Sequence, residues 1–399
     1  MRYFGMSDSR PIDVAAETTD IDPVKSVQQS FLLRNAALRL QMVQGIGPRI
    51  YGELIERFGS AEEVLAASPS DIRSVPGVGA KLSNNLALAG DIDIEPLLDC
   101  CQGHGISILQ RGGNGYSKRL EEIYDPPAIL FGKGKLQPCD ELAIAIVGTR
   151  HATQYGIKVA DQLARGLALA GLTIVSGLAR GIDAAAHKGA LAVGGRTIAV
   201  LGGGLLKMYP AEHQSLADKV VQSGAVLSEA LPMQAPKSGS FPRRNRIVTG
   251  LSLGVIVVEA ADRSGALISA RLANEQGREV FAVPGRMTDR MSKGTNALIR
   301  DGATMVQSVE DVLEQLGPMP TAATIETSAG ESLTIRSPAE LKLNDQEMIV
   351  LQLISEDATE IDWLIQRSEL PASRVLSTVS VLEMRRLIKR VSGTAVVRI

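Results

Sequence analysis

Residues Ser240–Gly285 read SFPRRNRIVTGLSLGVIVVEAADRSGALISARLANEQGREVFAVPG. At the centre, Gly254-Val255-Ile256-Val257-Val258 is an apolar run without polar alternation, the pattern of a strand buried on both faces. Three arginines, Arg243, Arg244 and Arg246, stand just upstream in a predicted loop. Beyond the strand come Glu259 and then Ser264-Gly265-Ala266, which opens a helical pattern. Ligands of open α/β sheets bind outside the carboxyl ends of the strands. A cationic loop and a glycine-opened helix beside one strand end therefore predict an anion site.

Working outward, strand and helix patterns alternate. Strands are predicted at 107–109, 128–131, 142–147, 172–175, 197–201 and 225–227, and near Val255 and Val280. Helices are predicted at 116–123, 155–170, 182–193 and 211–223. This alternation implies βαβ units, a parallel sheet and right-handed crossovers. The predicted fold class is α/β: an extended Rossmann-like parallel-sheet core over 105–316, with smaller domains at both ends.

Residues 1–28 carry mixed charge and weak periodicity, and are read as a mobile leader. Residues 29–104 are helical and repeat one theme, Gly45-Ile46-Gly47 and then Gly77-Val78-Gly79. This is the pattern of a tandem helix-hairpin-helix (SAM-like) domain, whose glycine turns open backbone N–H groups to a phosphate. Arg49, Arg73 and Lys81 are the nearby cations. DNA contact and protein contact both remain open for it. Residues 317–342, rich in Thr, Ala, Ser, Gly and Pro, are read as a linker. Residues 343–399 show helical periodicity and then a hairpin turned at Ser392-Gly393-Thr394, the outline of a small winged-helix domain. Its Arg374, Arg385 and Arg386 are a thin basic set for groove reading, so a partner-binding role stands beside DNA binding.

With 399 residues, and about 150 per domain, the chain has room for two or three domains. Hydrophobic residues at 45% supply sizeable cores, whereas aromatics at 3% leave few candidates for base stacking. A net charge of -2 means that any nucleic-acid contact must come from locally concentrated cations. The 3 cysteines form no CxxC pair, which fits a reducing, cytoplasmic setting. No apolar run is long enough to span a bilayer, so no membrane partner is expected. His104, His151, His187 and His213 do not cluster with cysteines or carboxylates at ligand spacing, and no metal is expected.

Two strand ends carry further chemistry. Gly148-Thr149-Arg150 offers a backbone turn, a hydroxyl and a guanidinium to an anion. G-x-G-x-x-G and G-x-x-x-x-G-K-[ST] are both absent, which disfavours a dinucleotide or nucleoside-triphosphate cofactor. The next strand ends in Ser176-Gly177-Leu178-Ala179-Arg180-Gly181, followed by Asp183 and His187 one helical turn apart. Asp183 and His187 read as acid–base machinery or as structural groups, and the structural reading is preferred. Phe241, at the head of Phe241-Pro242-Arg243-Arg244-Asn245-Arg246, is placed to stack on a base or to be buried under its loop.

The chain resembles the DNA processing protein A (DprA/Smf) family in seven segments: 116–134, 145–156 (AIVGTRHATQYG), 176–191 (SGLARGIDAAAHKGAL), 197–210, 241–259, 264–285 and 294–303. His213 departs from the family pattern, which has Asn there. The resemblance implies a non-enzymatic protein without cofactors. Such a protein binds single-stranded DNA in the Rossmann-like pocket, forms a homodimer through the core, and protects incoming DNA while helping to load the RecA recombinase in natural transformation. It implies that Gly148, Thr149 and Arg150 hold a phosphate, that Ser176, Gly177, Arg180 and Gly181 line the next part, and that Phe241, Arg243, Arg244, Asn245 and Arg246 close the pocket, with Ser264 and Gly265 at the adjoining helix start.

Two alternatives stay open. Related Rossmann-like folds include nucleotide phosphoribohydrolases with a PGGxGTxxE segment. Here Ser264-Gly265-Ala266 and Gly294-Thr295-Asn296 stand instead, and Glu259 is the only nearby acid. In the other alternative the end domains hold the DNA and the core is a scaffold.

Overall fold

The computed structural model describes residues 34–317, 323–326, 332–335 and 345–398, except 356–357, 369, 385–386 and 392–393. The predicted leader and Arg385 and Arg386 lie outside the described residues.

Among the described residues, six short α-helices come first: α1 (34–42), α2 (Pro48–Phe58), α3 (Ala61–Ala66), α4 (Pro69–Arg73), α5 (Ala80–Ala87) and α6 (Glu95–Gly103). The two predicted glycine turns separate α1 from α2 and α4 from α5. Gly45 and Gly77 have φ of 105° and 85°, the left-handed region that glycine enters without a side-chain clash. Gly47 then caps α2 and Gly79 caps α5, neither with a side-chain hydrogen bond.

The core strands are β1 (Ser107–Gln110), β2 (Ile129–Gly134), β3 (Ala143–Val147), β4 (Thr173–Ser176), β5 (Thr197–Leu201), β6 (Ala225–Ser228), β7 (Gly254–Val257), β8 (Glu279–Ala282) and β9 (Thr304–Met305). Its helices are α7 (Lys118–Glu121), α8 (Gln154–Leu169), α9 (Ile182–Ala192), α10 (Gln214–Ser223), α11 (Ser240–Gly250), α12 (Gly265–Glu275), α13 (Lys293–Arg300) and α14 (Val309–Leu316). All nine strands join one sheet in the order β1-β2-β6-β5-β4-β3-β7-β8-β9. The run from β6 to β9 is parallel, and its β5-β4-β3-β7-β8-β9 portion has the doubly wound order 3-2-1-4-5-6.

The sheet differs from expectation at one edge. β2 runs antiparallel to both β1 and β6. No long crossover helix precedes β2, so nothing obliges it to run parallel to its neighbours. β9, of two residues, is too short to leave a periodic signal. The larger correction concerns residues 241–246, expected in a loop: they form the first turns of α11. Pro242 is tolerated there because first-turn N–H groups have no intrahelical acceptor. Ile247, Val248 and Leu251 then anchor the helix in the core.

Alternate residues of each buried strand serve opposite layers. Ala143, Ala145 and Val147 of β3 join Val255, Val257, Ile247, Val248, Ala266 and Ala270 under α11 and α12. Ile144 and Ile146 face Ala160, Leu163, Leu167, Ile182 and Ala186 of α8 and α9. This two-sided burial is why β3 and β7 read as continuous apolar runs. A third cluster joins the N-terminal helices to Phe131, Leu201, Val226 and α10. Gln41 adds a cross-domain bond, its Nε2 donating to the Glu229 carbonyl at 2.6 Å.

Part of the expected linker pairs as a hairpin, β10 (Ala323–Glu326) with β11 (Ser332–Ile335). The C-terminal unit comprises α15 (Asp345–Leu353), β12 (Thr359–Glu360), α16 (Ile361–Arg367), α17 (Ala372–Met384), β13 (Ile388–Arg390) and β14 (Ala395–Arg398). It has its own core around Val350, Leu364, Val375 and Val379. Its strands order as β12-β14-β13, the winged-helix outline with one short strand more than the sequence indicates.

Candidate functional site

The chain reverses its direction of winding between β3 and β7, and a cavity of about 470 Å³ opens at the carboxyl ends there. Val147 and Gly148 at the end of β3 form one wall, and Gly177, Ala179 and Asp183 of the β4–α9 turn form another. The start of α11 supplies Phe241, Pro242, Arg244, Asn245 and Val248, and α12 supplies Ser264 to Ala266, Ile268 and Ser269. Arg150, His151 and Ser238 complete the rim.

Arg244 is the cation at the back of the cavity. It is 6% exposed, and its Nη1 donates to the Val200 carbonyl at 2.8 Å. Its Nε has no hydrogen-bond partner, an uncommon state for a buried donor. Burial lowers its pKa to about 10, partly offset by the nearby Asp183 carboxylate, so it stays charged at neutral pH. Asp183 accepts from the Gly177 and Ala179 N–H groups at 3.1 and 3.3 Å, and burial raises its pKa. The cavity thus sets two guanidinium groups, Arg150 and Arg244, against one carboxylate.

At the mouth, Arg150 lies 4.8 Å from the centroid of the Phe241 ring, a cation–π contact. Val147, Val248 and Ile268 add apolar surface. The α12 N-terminus borders the same space, with Ser264 Oγ accepting from the Ala266 N–H at 3.3 Å and the helix dipole favouring negative charge. An apolar-walled cavity beside two arginines and a helix start suits a base joined to a phosphate.

Of the fourteen residues that the sequence assigns to the anion pocket, eight line this cavity: Gly148, Arg150, Gly177, Phe241, Arg244, Asn245, Ser264 and Gly265. Six do not. Thr149 gives its N–H to the Glu259 carbonyl at 2.8 Å, its carbonyl accepts from Ile182, and its hydroxyl accepts from the His151 N–H. Ser176 is fully buried and donates to the Ile146 carbonyl at 2.6 Å. Gly181 caps α9 with φ of 75°, so close to Thr149 that a side chain would strike its carbonyl. Arg180 is paired with Glu212 outside the cavity. Arg243 and Arg246 face Glu229 instead, and Arg246 also faces Asp125. On a helix, arginines at 243, 244 and 246 point in different directions, which a loop reading does not reveal.

The structure adds lining residues that the motifs did not indicate, among them Val248, Ile268 and Ser269. Val248 follows Arg244, and Ser269 follows Gly265, by one helical turn. Helical spacing was the signal available, once 241–246 is read as helix.

Asp183 and His187, one turn apart, do not pair. His187 is fully buried with Nδ1 at 2.7 Å from Thr197 Oγ1, and that hydroxyl donates to the Ile174 carbonyl. The hydroxyl therefore accepts from Nδ1–H, leaving Nε2 bare and unpartnered. Burial, with Arg244 and His213 adding to it, pushes the His187 pKa down to about 3. Glu259 is 2% exposed and bound at the α8 N-terminus, where it accepts from the Thr153 N–H at 2.9 Å and the Thr153 hydroxyl at 2.5 Å. The first crossover helix of a doubly wound sheet ordinarily offers that N-terminus to a ligand phosphate. Here the chain's own carboxylate fills it, and Gly156 leaves the room, since any side chain there would overlap the carboxylate.

Comparison with known proteins agrees with this geometry. The DNA recombination-mediator protein A family matches residues 107–317, its winged helix domain matches 335–394, and a SAM-like helix-hairpin-helix tandem matches 37–89. DNA processing protein DprA of Bacillus subtilis is 45% identical over 53% of this chain and 72% of its own length. Protein Smf of Escherichia coli is 39% identical over 70% of this chain and 74% of its own. The solved structure of DNA processing protein A from Streptococcus pneumoniae superimposes with a TM-score of 0.62 at 36% identity, covering 70% of this chain and 97% of that one. The family match spans all nine core strands and every residue that lines the cavity, and on that extent the chain belongs to the DNA recombination-mediator protein A family.

Proposed function

We propose that this protein is a single-stranded DNA-binding mediator that protects incoming DNA and helps a RecA-type recombinase to load on it during transformation. The observation that carries this reading is the pairing in one cavity of Arg244, buried with an unpartnered Nε, and Phe241, covered by Arg150. Rings and guanidinium groups recognise bases through their faces, and those faces are open only in an unstacked strand. Family membership supports the DNA-processing role. Recombinase contact and a homodimer through the core are further parts of the proposal, as is a cytoplasmic setting. Among the described residues no helix is long and apolar enough to cross a membrane.

A binding role is favoured over the phosphoribohydrolase reading by Glu259. Both its oxygens are engaged at the α8 start, and it does not line the cavity. Nor do His187 and Asp183 offer an acid–base pair: Asp183 accepts from the Gly177 and Ala179 N–H groups, and His187 is fully buried and does not line the cavity.

The test is titration of single-stranded and duplex DNA at several salt concentrations, with wild type and Arg150→Ala. The reading expects single-strand preference and a log–log salt slope of about -0.7 per phosphate neutralised. Arg150→Ala should bind more weakly with a shallower slope. Equal affinity for duplex, or unchanged binding in the variant, overturns it. Release of free base from a nucleoside monophosphate would revive the hydrolase.

A further inference from the structure

Two adjacent rings, flanked on either side by an arginine, begin in the cavity and leave it. Arg150 stands 4.8 Å from the Phe241 centroid; the Phe241 and Tyr209 rings are 5.7 Å apart and tilted by 56°; Arg180 stands 5.7 Å from the Tyr209 centroid. Arg150 and Phe241 line the cavity, whereas Tyr209 and Arg180 lie beyond it. Tyr209 keeps 46% of its surface exposed. Arg180 is itself pinned, its Nε and Nη2 both 2.5 Å from Glu212 Oε1.

An exposed ring set in place by its neighbours loses little freedom when a ligand lands on it. Aromatic rings along a single-strand groove stack successive bases whatever the sequence, because every base has a π-face. Glu212 neutralises Arg180, so this guanidinium orients the ring more than it attracts phosphate.

We propose that Tyr209 is a second base-stacking step: the base next to the one held at Phe241 stacks on the Tyr209 ring, which Arg180 and Glu212 hold in position. This rests on the single-strand reading above. The bound strand then engages two successive nucleotides along these rings, without sequence preference at the second.

The experiment uses the full chain with an oligothymidylate and with the same oligomer carrying one abasic residue, moved position by position. Tyr209→Ala should weaken binding by roughly 5- to 150-fold, the worth of one stacked base. Tyr209→Phe keeps the π-face and loses only the hydroxyl's hydrogen bond with Arg180, so it should keep most of the wild-type affinity. Tyr209→Leu keeps apolar bulk without a π-face and should be weakened as well, so a misfolded alanine variant leaves the test intact. An abasic residue at one position should cost wild type a comparable factor and cost Tyr209→Ala nothing there. Arg180→Ala should weaken binding less than Tyr209→Ala and leave the salt slope unchanged. Wild-type affinity in Tyr209→Ala, or identical abasic penalties in both proteins at every position, overturns the proposal. If Arg150→Ala loses binding while Tyr209→Ala keeps it, the single-strand reading stands and the second step falls. If wild type binds no strand, both fall.

Discussion

The guanidinium of Arg244 lies against the backbone of Gly177, in the space where any other residue would carry its Cβ. The α11 arginine can reach across the carboxyl edge of β4 and β5 only because position 177 has no side chain. Gly177→Ala should therefore move Arg244 off the Val200 carbonyl and out of line with the cavity. We expect a stability loss of about 1–3 kcal/mol from the added methyl, by urea denaturation, together with a larger proportional loss of single-strand affinity. A variant that keeps wild-type affinity would show that Arg244 does not act from this position.

Arg246 offers the contrast. It is 4% exposed and is held between Glu229, at 2.6 Å, and Asp125, at 3.2 Å. Removing it leaves two carboxylates facing each other at the join with the N-terminal helices. Arg246→Ala should cost about 2–4 kcal/mol of stability, less than the full effect of a wholly buried pair because Asp125 and Glu229 retain some solvent. Arg150→Ala should leave stability nearly unchanged while reducing DNA binding. Equal stability of the two variants in urea would contradict this division of roles.

Glu259 closes the α8 start with its charge. Glu259→Gln keeps the shape but loses the favourable interaction with the helix end, and we expect a loss of about 1–2 kcal/mol. Single-strand affinity should change little, because Glu259 does not line the cavity. A large fall in affinity at unchanged melting temperature would count against the structural role.

His187 links stability to pH. Its folded pKa, lowered to about 3, lies below the unfolded value near 6.5. Between these values the unfolded chain binds a proton that the folded chain excludes, so this contribution is complete above about pH 6.5 and is lost as pH falls. By pH 5 the loss should reach about 2 kcal/mol relative to pH 8. His187→Gln should lack this dependence, and the difference between the two pH profiles from 8 to 5 isolates it from carboxylate titration. Parallel profiles would refute the assignment.

The strands and glycine turns were legible because each is a local signal. β3 and β7 are unbroken apolar runs, and Gly45 and Gly77 stand where a left-handed turn was needed. Residues 241–246 were not, since Pro242 and three arginines in six positions have the composition of a loop. What makes them a helix is the burial of Ile247, Val248 and Leu251 beneath them, a tertiary effect. Thr149 and Ser176 misled for a related reason. Hydroxyl and glycine residues at strand ends suit an anion site, but these two spend their polar groups inside the chain, on Glu259, Ile182, His151 and Ile146.

Residue type and spacing along the chain were enough to establish a parallel α/β core with helical and winged-helix domains at its ends, and to place cations and glycines near a few strand ends. Those properties depend on side-chain period and backbone freedom, which act between near neighbours in sequence. Which arginine faces the cavity depended on contacts between distant segments. Arg244 turns inward because Gly177 makes room and Val200 offers a carbonyl, Arg246 turns away because Glu229 and Asp125 hold it, and Glu259 occupies the α8 start that an external phosphate would otherwise take. Directions of this kind arise only when the sheet brings those segments together, because a charge is steered by the partners within a few ångströms of it in space.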